Sequence, residues 1–376
     1  MHAPARPNAT LADCRVTGRA VAYRLVDVGY GIDLDRASAL LGETGRERIR
    51  PSRAHAELIE IRNPPILARL GSRAVTIDGR PVDVDVSAHL FDFGVVSVRL
   101  RALAPDNVTW PEFVEFGRTF DDSNALAEAV QQEVDRIVGA IAPAIDRPSR
   151  SDIIEDYTIF RIDRACTTDG RALPPSVFQT VDLVRLLSAE RETLSAEAQA
   201  ELLSRQFSYF ARDLVVLTWD SALVVEPDRT DHDAEYVIEF ANAQLLELRV
   251  YDALLDAELP TVYDRIEDRR RRPWPTRRYR PLLAEVQTRV ADITEIVERA
   301  DNGFKVVNDV YLARVYLAAL EVFREQAWRR GIDRKLGIFR DTYSMLNAEA
   351  QAARGELLEL MIILLFIADI ALSFLR

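Results

Sequence analysis

The sixteen residues from Leu360 to Leu375 are apolar except for Asp369 and Ser373. This stretch constrains the fold most, because a helix apolar on every side must be covered by something. At 1.5 Å per residue it reaches roughly 24 Å, against about 30 Å of bilayer hydrocarbon. Its eleven Leu, Ile and Phe residues favour insertion by about 5 kcal/mol, and Asp369 opposes it by about 3 kcal/mol. Two covers are open. One is a bilayer, with Leu360, Ile363, Leu364, Ile367 and Phe374 on the inserted helix; the other is burial of the terminal helices in a homo-oligomer. Insertion is the expectation. Lys335, Arg340 and Arg354 precede the segment and only Arg376 follows it, so the positive-inside tendency puts the body on the cytosolic side of the cytoplasmic membrane.

Two heptad seams run toward this end. The first is Leu283, Val286, Val290, Ile293, Val297, Ala300, Phe304, Val307 and Tyr311; the second is Leu336, Phe339, Tyr343, Leu346, Ala350, Ala353, Leu357 and Leu360. Both step by 3 and 4 residues, the spacing of a coiled-coil seam. The residues between them, Trp328 to Ile332 with Gly331, offer a turn, so the two helices are expected to form an antiparallel hairpin. An intermolecular coiled coil predicts similar seams, and Asn302 and Gly303 offer an alternative break in the first helix.

Upstream the chain alternates strand-like and helix-like pieces, which makes the fold class α+β. Strands are expected at Arg19–Val28, Leu90–Leu103 and Tyr157–Ile162. Hairpins are expected around Asp78-Gly79 and around Trp219-Asp220-Ser221. Apolar periodicity predicts helices over Ile32–Leu41, Asn124–Ile141, Val177–Leu187, Ser195–Gln206 and Ala234–Leu259, the last stopping at Pro260. The expected segments are a disordered 1–15, α+β regions at 16–150 and 151–264, an arginine-rich linker at 265–281, a hairpin stalk at 282–356 and a membrane helix at 357–376.

The formal net charge of −12 argues against a protein that coats nucleic acid over its whole surface. The linker runs the other way. Arg265, Arg269, Arg270, Arg271, Arg272, Arg277, Arg278 and Arg280 against Glu267 and Asp268 give eight minus two, or +6. With Trp274 and Tyr279 among them, these arginines suit RNA, anionic lipid or an acidic protein surface, and a solvated linker is the plainer reading. Pro273 and Pro275 predict a loop there. Cys14 and Cys166 are too few for a disulfide framework, and the polar stretch Met1–Thr10 has no signal-peptide core. Both point to a body in a reducing, cytosolic setting.

Nothing in the sequence assembles a reaction centre. His2, His55, His89 and His232 stand in separate contexts without metal-ligand spacing. Asp92-Phe93-Gly94 spells a kinase triplet inside an expected strand, without a phosphate loop or catalytic loop beside it. The strongest polar cluster lies on the Ala234–Leu259 helix, where Asn242, Glu247, Arg249, Asp252 and Asp256 join Glu239. Arg249, Asp252 and Asp256 share one face and can pair. Structural ion pairing is the ordinary explanation, and a ligand or partner face with Asp213, Trp219 and Asp220 nearby is the other. No cofactor or metal is expected.

Two blocks carry a family resemblance. One holds Asp309, Tyr311–Tyr316, Trp328, Arg334–Leu336, Tyr343, Leu346, Arg354 and Glu356–Glu359; the other holds Tyr209, Asp213–Val216, Trp219–Val225 and Glu239–Leu259. Together they make the chain resemble the bacterial branch of the "required for meiotic nuclear division" family, over about residues 15–376. The resemblance implies an uncharacterised α+β protein with a C-terminal membrane helix and no assigned catalysis or cofactor. In that family the mitochondrial branch is associated with translation at the inner membrane. The expected function is a non-enzymatic, membrane-tethered scaffold or adaptor that docks a protein or ribonucleoprotein partner. An α+β enzyme or nucleotide-binding protein, and a soluble oligomer, are the alternatives.

Overall fold

Alternation along Val95–Leu103 sends Val96, Val98, Leu100 and Ala102 into one buried apolar layer, and Ser97, Arg99 and Arg101 to the opposite face. Strand after strand repeats the pattern. The structure, a computed structural model, describes residues 14–42, 46–48, 59–61, 63–179, 182–188, 190, 192–226, 233–271, 304–306 and 310–374, with isolated positions between 284 and 294.

The strands are β1 Arg15–Asp27, β2 Gly29–Ile32, β3 Arg46–Arg48, β4 Ile59–Ile61, β5 Ile66–Ile77, β6 Arg80–Leu90, β7 Val95–Leu103, β8 Val108–Thr109, β9 Ile145–Pro148, β10 Ile154–Cys166, β11 Gln206–Phe207, β12 Leu214–Leu217, β13 Ser221–Val225 and β14 Phe304–Val306. Ten of them form one sheet in the order β11-β12-β13-β10-β1-β7-β6-β5-β3, with β8 also on β1; β14 pairs β4 and β2 pairs β9. Every pairing is antiparallel except β10 with β13. The helices are α1 Leu34–Leu40, α2 Trp110–Asp121, α3 Asn124–Ile141, α4 Val184–Leu187, α5 Ala196–Leu202, α6 Asp233–Arg271, α7 Val310–Val322 and α8 Glu325–Phe374. The α+β class holds.

The apolar face of the sheet is covered by α2 and α3. Helix α2 starts where Thr109 accepts from the Glu112 N–H and the Glu112 carboxylate accepts from the Thr109 N–H, a reciprocal cap that satisfies two donors at once. Helix α3 keeps the bounds its periodicity predicts and buries Leu126, Val130, Val134, Ile137 and Ile141. At Asp78-Gly79 both residues have positive φ, 47° and 74°, as the tight β5–β6 hairpin requires.

Several expectations need correction. Asp92-Phe93-Gly94 is a turn between β6 and β7 rather than strand, because Gly94 sits at φ 99° and its N–H donates to the Phe91 carbonyl. A Cβ on Gly94 would run into the Gly29 carbonyl oxygen. We therefore expect Gly94→Ala to lower stability by about 1–3 kcal/mol, seen as a lower urea midpoint at unchanged slope. The Val177–Leu187 helix shrinks to a 3-10 turn at Pro175–Gln179 and the single turn α4, and the Ser195–Gln206 helix to α5.

Helix α6 does not stop at Pro260 but continues to Arg271. Pro260 is exposed, so the carbonyl it leaves without an N–H partner is open to water. Part of the supposed loop, Arg265–Arg271, is thus helical, and Arg272–Arg280 lies outside the described residues. The first seam is not one continuous helix: Phe304–Val306 is β-strand, paired with Ile59–Ile61, in keeping with the alternative break at Asn302-Gly303. The expected turn at Trp328–Ile332 is helical, within α8, and the break between α7 and α8 falls at Phe323-Arg324, where Arg324 has φ 54°.

Two compact units divide the chain, Met1–Val250 with Arg299–Gln326, and Tyr251–Glu298 with Ala327–Arg376. The second contains the seam residues Leu336, Phe339 and Leu346, all buried. Its partner helix there is α6: Lys335 Nζ lies 2.6 Å from Asp252 and 2.7 Å from Asp256. Asp252 and Asp256 hold Lys335 charged against the opposing effect of desolvation, raising its pKa. Most of the first seam, 283–303, lies outside the described residues.

Candidate functional site

The second face of the sheet carries charge. Alternation puts Arg19, Tyr23 and Asp27 of β1, Arg99 of β7, Tyr157, Arg161 and Asp163 of β10 and His89 of β6 on this side, and the first half of α6 lays Glu235, Glu239, Asn242 and Glu247 over it. Arg161 is 0% exposed. Its Nη1 donates to Glu226 at 2.9 Å and Glu235 at 2.8 Å, its Nε to Asp163 at 3.2 Å, and Arg19 donates to the same Asp163 at 2.8 Å. Arg19 and Arg161 face each other across β1 and β10, a like-charge pairing that the acids must offset. Burial works against the charge on Arg161, but Glu235 and Glu226 outweigh it and hold the guanidinium above its ordinary pKa.

His89 lies between Arg99, 3.0 Å from Nε2, and Glu239, 2.7 Å from Nδ1. A guanidinium can only donate, so Nε2 accepts and the neutral ring carries its proton on Nδ1, donating to Glu239. Burial lowers the His89 pKa, which agrees with a neutral ring, and although burial also works against the Glu239 carboxylate, His89 and Arg99 hold its pKa below the usual range. At the end of β1, burial pushes the Asp27 carboxyl up to about 7, despite its hydrogen bond with Glu247. This layer is a solvent-excluded clamp between sheet and helix. Periodicity did not reveal it, because charged residues on a strand face read as solvated.

The residues singled out from sequence separate into different roles. Asp213 accepts from the Tyr209 and Phe210 N–H groups at 2.7 and 3.0 Å and so holds a turn. Asn242 and Glu247 belong to the buried layer. Arg249 pairs with Glu155, and Asp252 and Asp256 pair with Lys335. Arg269, Arg270 and Arg271 form the last turn of α6; Arg272, Trp274, Arg277, Arg278 and Arg280 lie outside the described residues. Leu360, Ile363, Leu364 and Ile367 are all exposed on α8, and Phe374 is its last helical residue. Among the described residues no helix is long and apolar enough to cross a membrane, and none groups metal-ligating side chains.

Trp219 and Asp220 form the tip of the β12–β13 hairpin, where burial raises the Asp220 pKa. Trp219 is 44% exposed and borders a cavity of about 680 Å³. Three segments of the first unit meet there: α5 with the residues flanking it, the β12–β13 turn, and the α7–α8 turn. Leu194, Leu202, Leu217 and Val322 give it an apolar wall, and Arg205, ion-paired with Glu321, lies at its edge. The Arg324 guanidinium stands 5.7 Å from the centre of the Trp219 ring. Sequence reading picked out Trp219 but not Arg324, because 105 residues separate them and only the fold brings them together.

A family model described as "Uncharacterized protein MJ0711, N-terminal domain" matches residues 17–232, from β1 to the residue before α6. The chain is similar to "Uncharacterized protein MJ0711" of Methanocaldococcus jannaschii, 24% identical over 194 residues, which are 51% of this chain and 58% of that relative. The match thus spans little more than half the length of the curated relative. No solved structure matches the chain.

Proposed function

The chain belongs to the family of the MJ0711 N-terminal domain, an uncharacterised family, and from its own surfaces we propose a non-enzymatic scaffold, attached to a bilayer by the apolar end of α8 and docking a protein or ribonucleoprotein partner on its α+β body. The observation that carries this reading is the end of α8. Leu358, Leu360, Met361, Ile362, Ile363, Leu364, Leu365, Phe366, Ile367, Ile370 and Leu372 are all exposed. They follow one another too closely to share one face, so the helix is bare on every side. Covering a large apolar side chain is worth about 1.5–3 kcal/mol, and a row of this length is rare on a monomer's surface.

The end of the helix is an attachment entering from one face, since the run Leu358–Ile370 reaches only about 20 Å. The likeness of the Tyr311–Tyr316 and Glu356–Glu359 blocks to the "required for meiotic nuclear division" family supports the same reading, because that family carries a C-terminal membrane helix. The arginines that close α6 and follow it supply the charge for an acidic or nucleic-acid partner.

The test is fractionation of the intact chain beside a version ending at Gly355, with alkaline carbonate washing of the membranes. The intact chain should resist the wash and the shortened one should be released. Release of both would overturn attachment; a drop in particle mass on truncation would then assign the helix end to contacts between copies.

A further inference from the structure

We propose that the cavity beside Trp219 binds a mononucleotide, its base stacked on the indole and its phosphate met by Arg324. The stacking surface is built and braced. Phe323, 1% exposed, sets its ring against Trp219 at 6.3 Å and 82°, and against Tyr157 at 5.6 Å and 87°. The Tyr157 hydroxyl is shared between the carbonyls of Thr218 and Ser221, at 3.1 and 2.8 Å, which bracket the Trp219-Asp220 turn. An indole left this exposed on so rigid a support is preorganised for a flat partner, and base stacking on an aromatic side chain is worth about 1–3 kcal/mol.

The anion end is equally specific. Arg205 is neutralised by Glu321, whereas Arg324 has no ion-pair partner among the described residues and makes its contact with the Trp219 ring. Its backbone is left-handed, φ 54°, a conformation that costs free energy in a residue other than glycine and concentrates at ligand sites. A guanidinium in that position can meet phosphate with paired N–H donors. Ser204 and Glu201 also line the cavity; the Glu201 carboxylate is the acceptor for an exocyclic amino group, which favours adenine, guanine or cytosine. A volume of 680 Å³ falls within the range of small-ligand sites.

The inference is independent of membrane attachment, because a chain ending at Gly355 keeps every residue that lines the cavity. The experiment is calorimetric titration of the full-length protein with adenosine 5′-monophosphate, followed in parallel by tryptophan emission, with adenosine and inorganic phosphate as separate probes. The variants are Trp219→Leu and Arg324→Gly; glycine suits the left-handed backbone, so the second variant is expected to fold at least as well as the parent. The nucleotide should bind saturably with quenching. Trp219→Leu should lose the quench and about tenfold or more in affinity, and Arg324→Gly should weaken the nucleotide about tenfold while leaving adenosine unchanged. No saturation below about 10 mM nucleotide, or equal affinity in Arg324→Gly and the parent, would overturn the proposal.

Discussion

Arg161→Ala is expected to lower the unfolding free energy by about 3–5 kcal/mol, the usual consequence of removing one member of a buried ion network. The guanidinium is 0% exposed and serves Glu226, Glu235 and Asp163. Without it Asp163 keeps Arg19 at 2.8 Å and Glu235 keeps Arg99 only at 3.7 Å. The arginine also fills volume between β10 and α6, so a cavity adds to the electrostatic loss. Replacing the network rather than breaking it should cost much less: Arg161→Met combined with Glu235→Leu removes a charge of each sign and refills the space. Urea unfolding of the three proteins measures both effects. A loss below about 1 kcal/mol in Arg161→Ala would mean that the layer is not the clamp described.

Much of the apolar side of the sheet was legible from residue pattern alone. Val96, Val98 and Leu100 alternate as a half-buried strand must, the α3 stripe fixes both ends of that helix, and Asp78-Gly79 marks its hairpin. The opposite face was not legible, because Arg19, Arg99 and Arg161 alternate just as correctly as solvent-facing residues would. Only the fold, which sets Asp163, Glu235 and Glu239 against them, shows that Arg19 and Arg161 are buried and Arg99 half-buried. Helix α6 hides the same information: its first half buries residues all around, including Glu239 and Glu247, so a charge-based reading assigns those acids to water. Pro260 and the Phe323-Arg324 turn failed for local reasons. An exposed proline can be carried inside a long helix, and a left-handed arginine gives no glycine signal. Of the site residues, Trp219 stood out by its hairpin, while Asp213 and Arg249 proved to hold structure.

Asp27→Asn should make the protein more stable than its parent near neutral pH, by an amount that grows as pH rises. Burial raises the Asp27 carboxyl to about 7 in the folded chain, against an ordinary value of 3.8. The folded state therefore holds a proton that the unfolded state has released, and this stabilisation is complete below pH 3.8 and gone above about 7. Over that window it amounts to roughly 4 kcal/mol, at about 1.36 kcal/mol per pH unit. Asparagine keeps a neutral donor for Glu247 and does not titrate. The advantage of the variant should widen by about 2 kcal/mol between pH 5.5 and 7, then stay level.

His89 works in the opposite direction. Its depressed pKa makes the unfolded chain the better proton binder below the ordinary histidine range, so stability from this group rises with pH there. Both proteins carry His89, so its contribution cancels in the difference between their unfolding free energies, which isolates Asp27 where a single pH profile would not. A difference that stays flat from pH 5.5 to 8 would place the shared proton elsewhere.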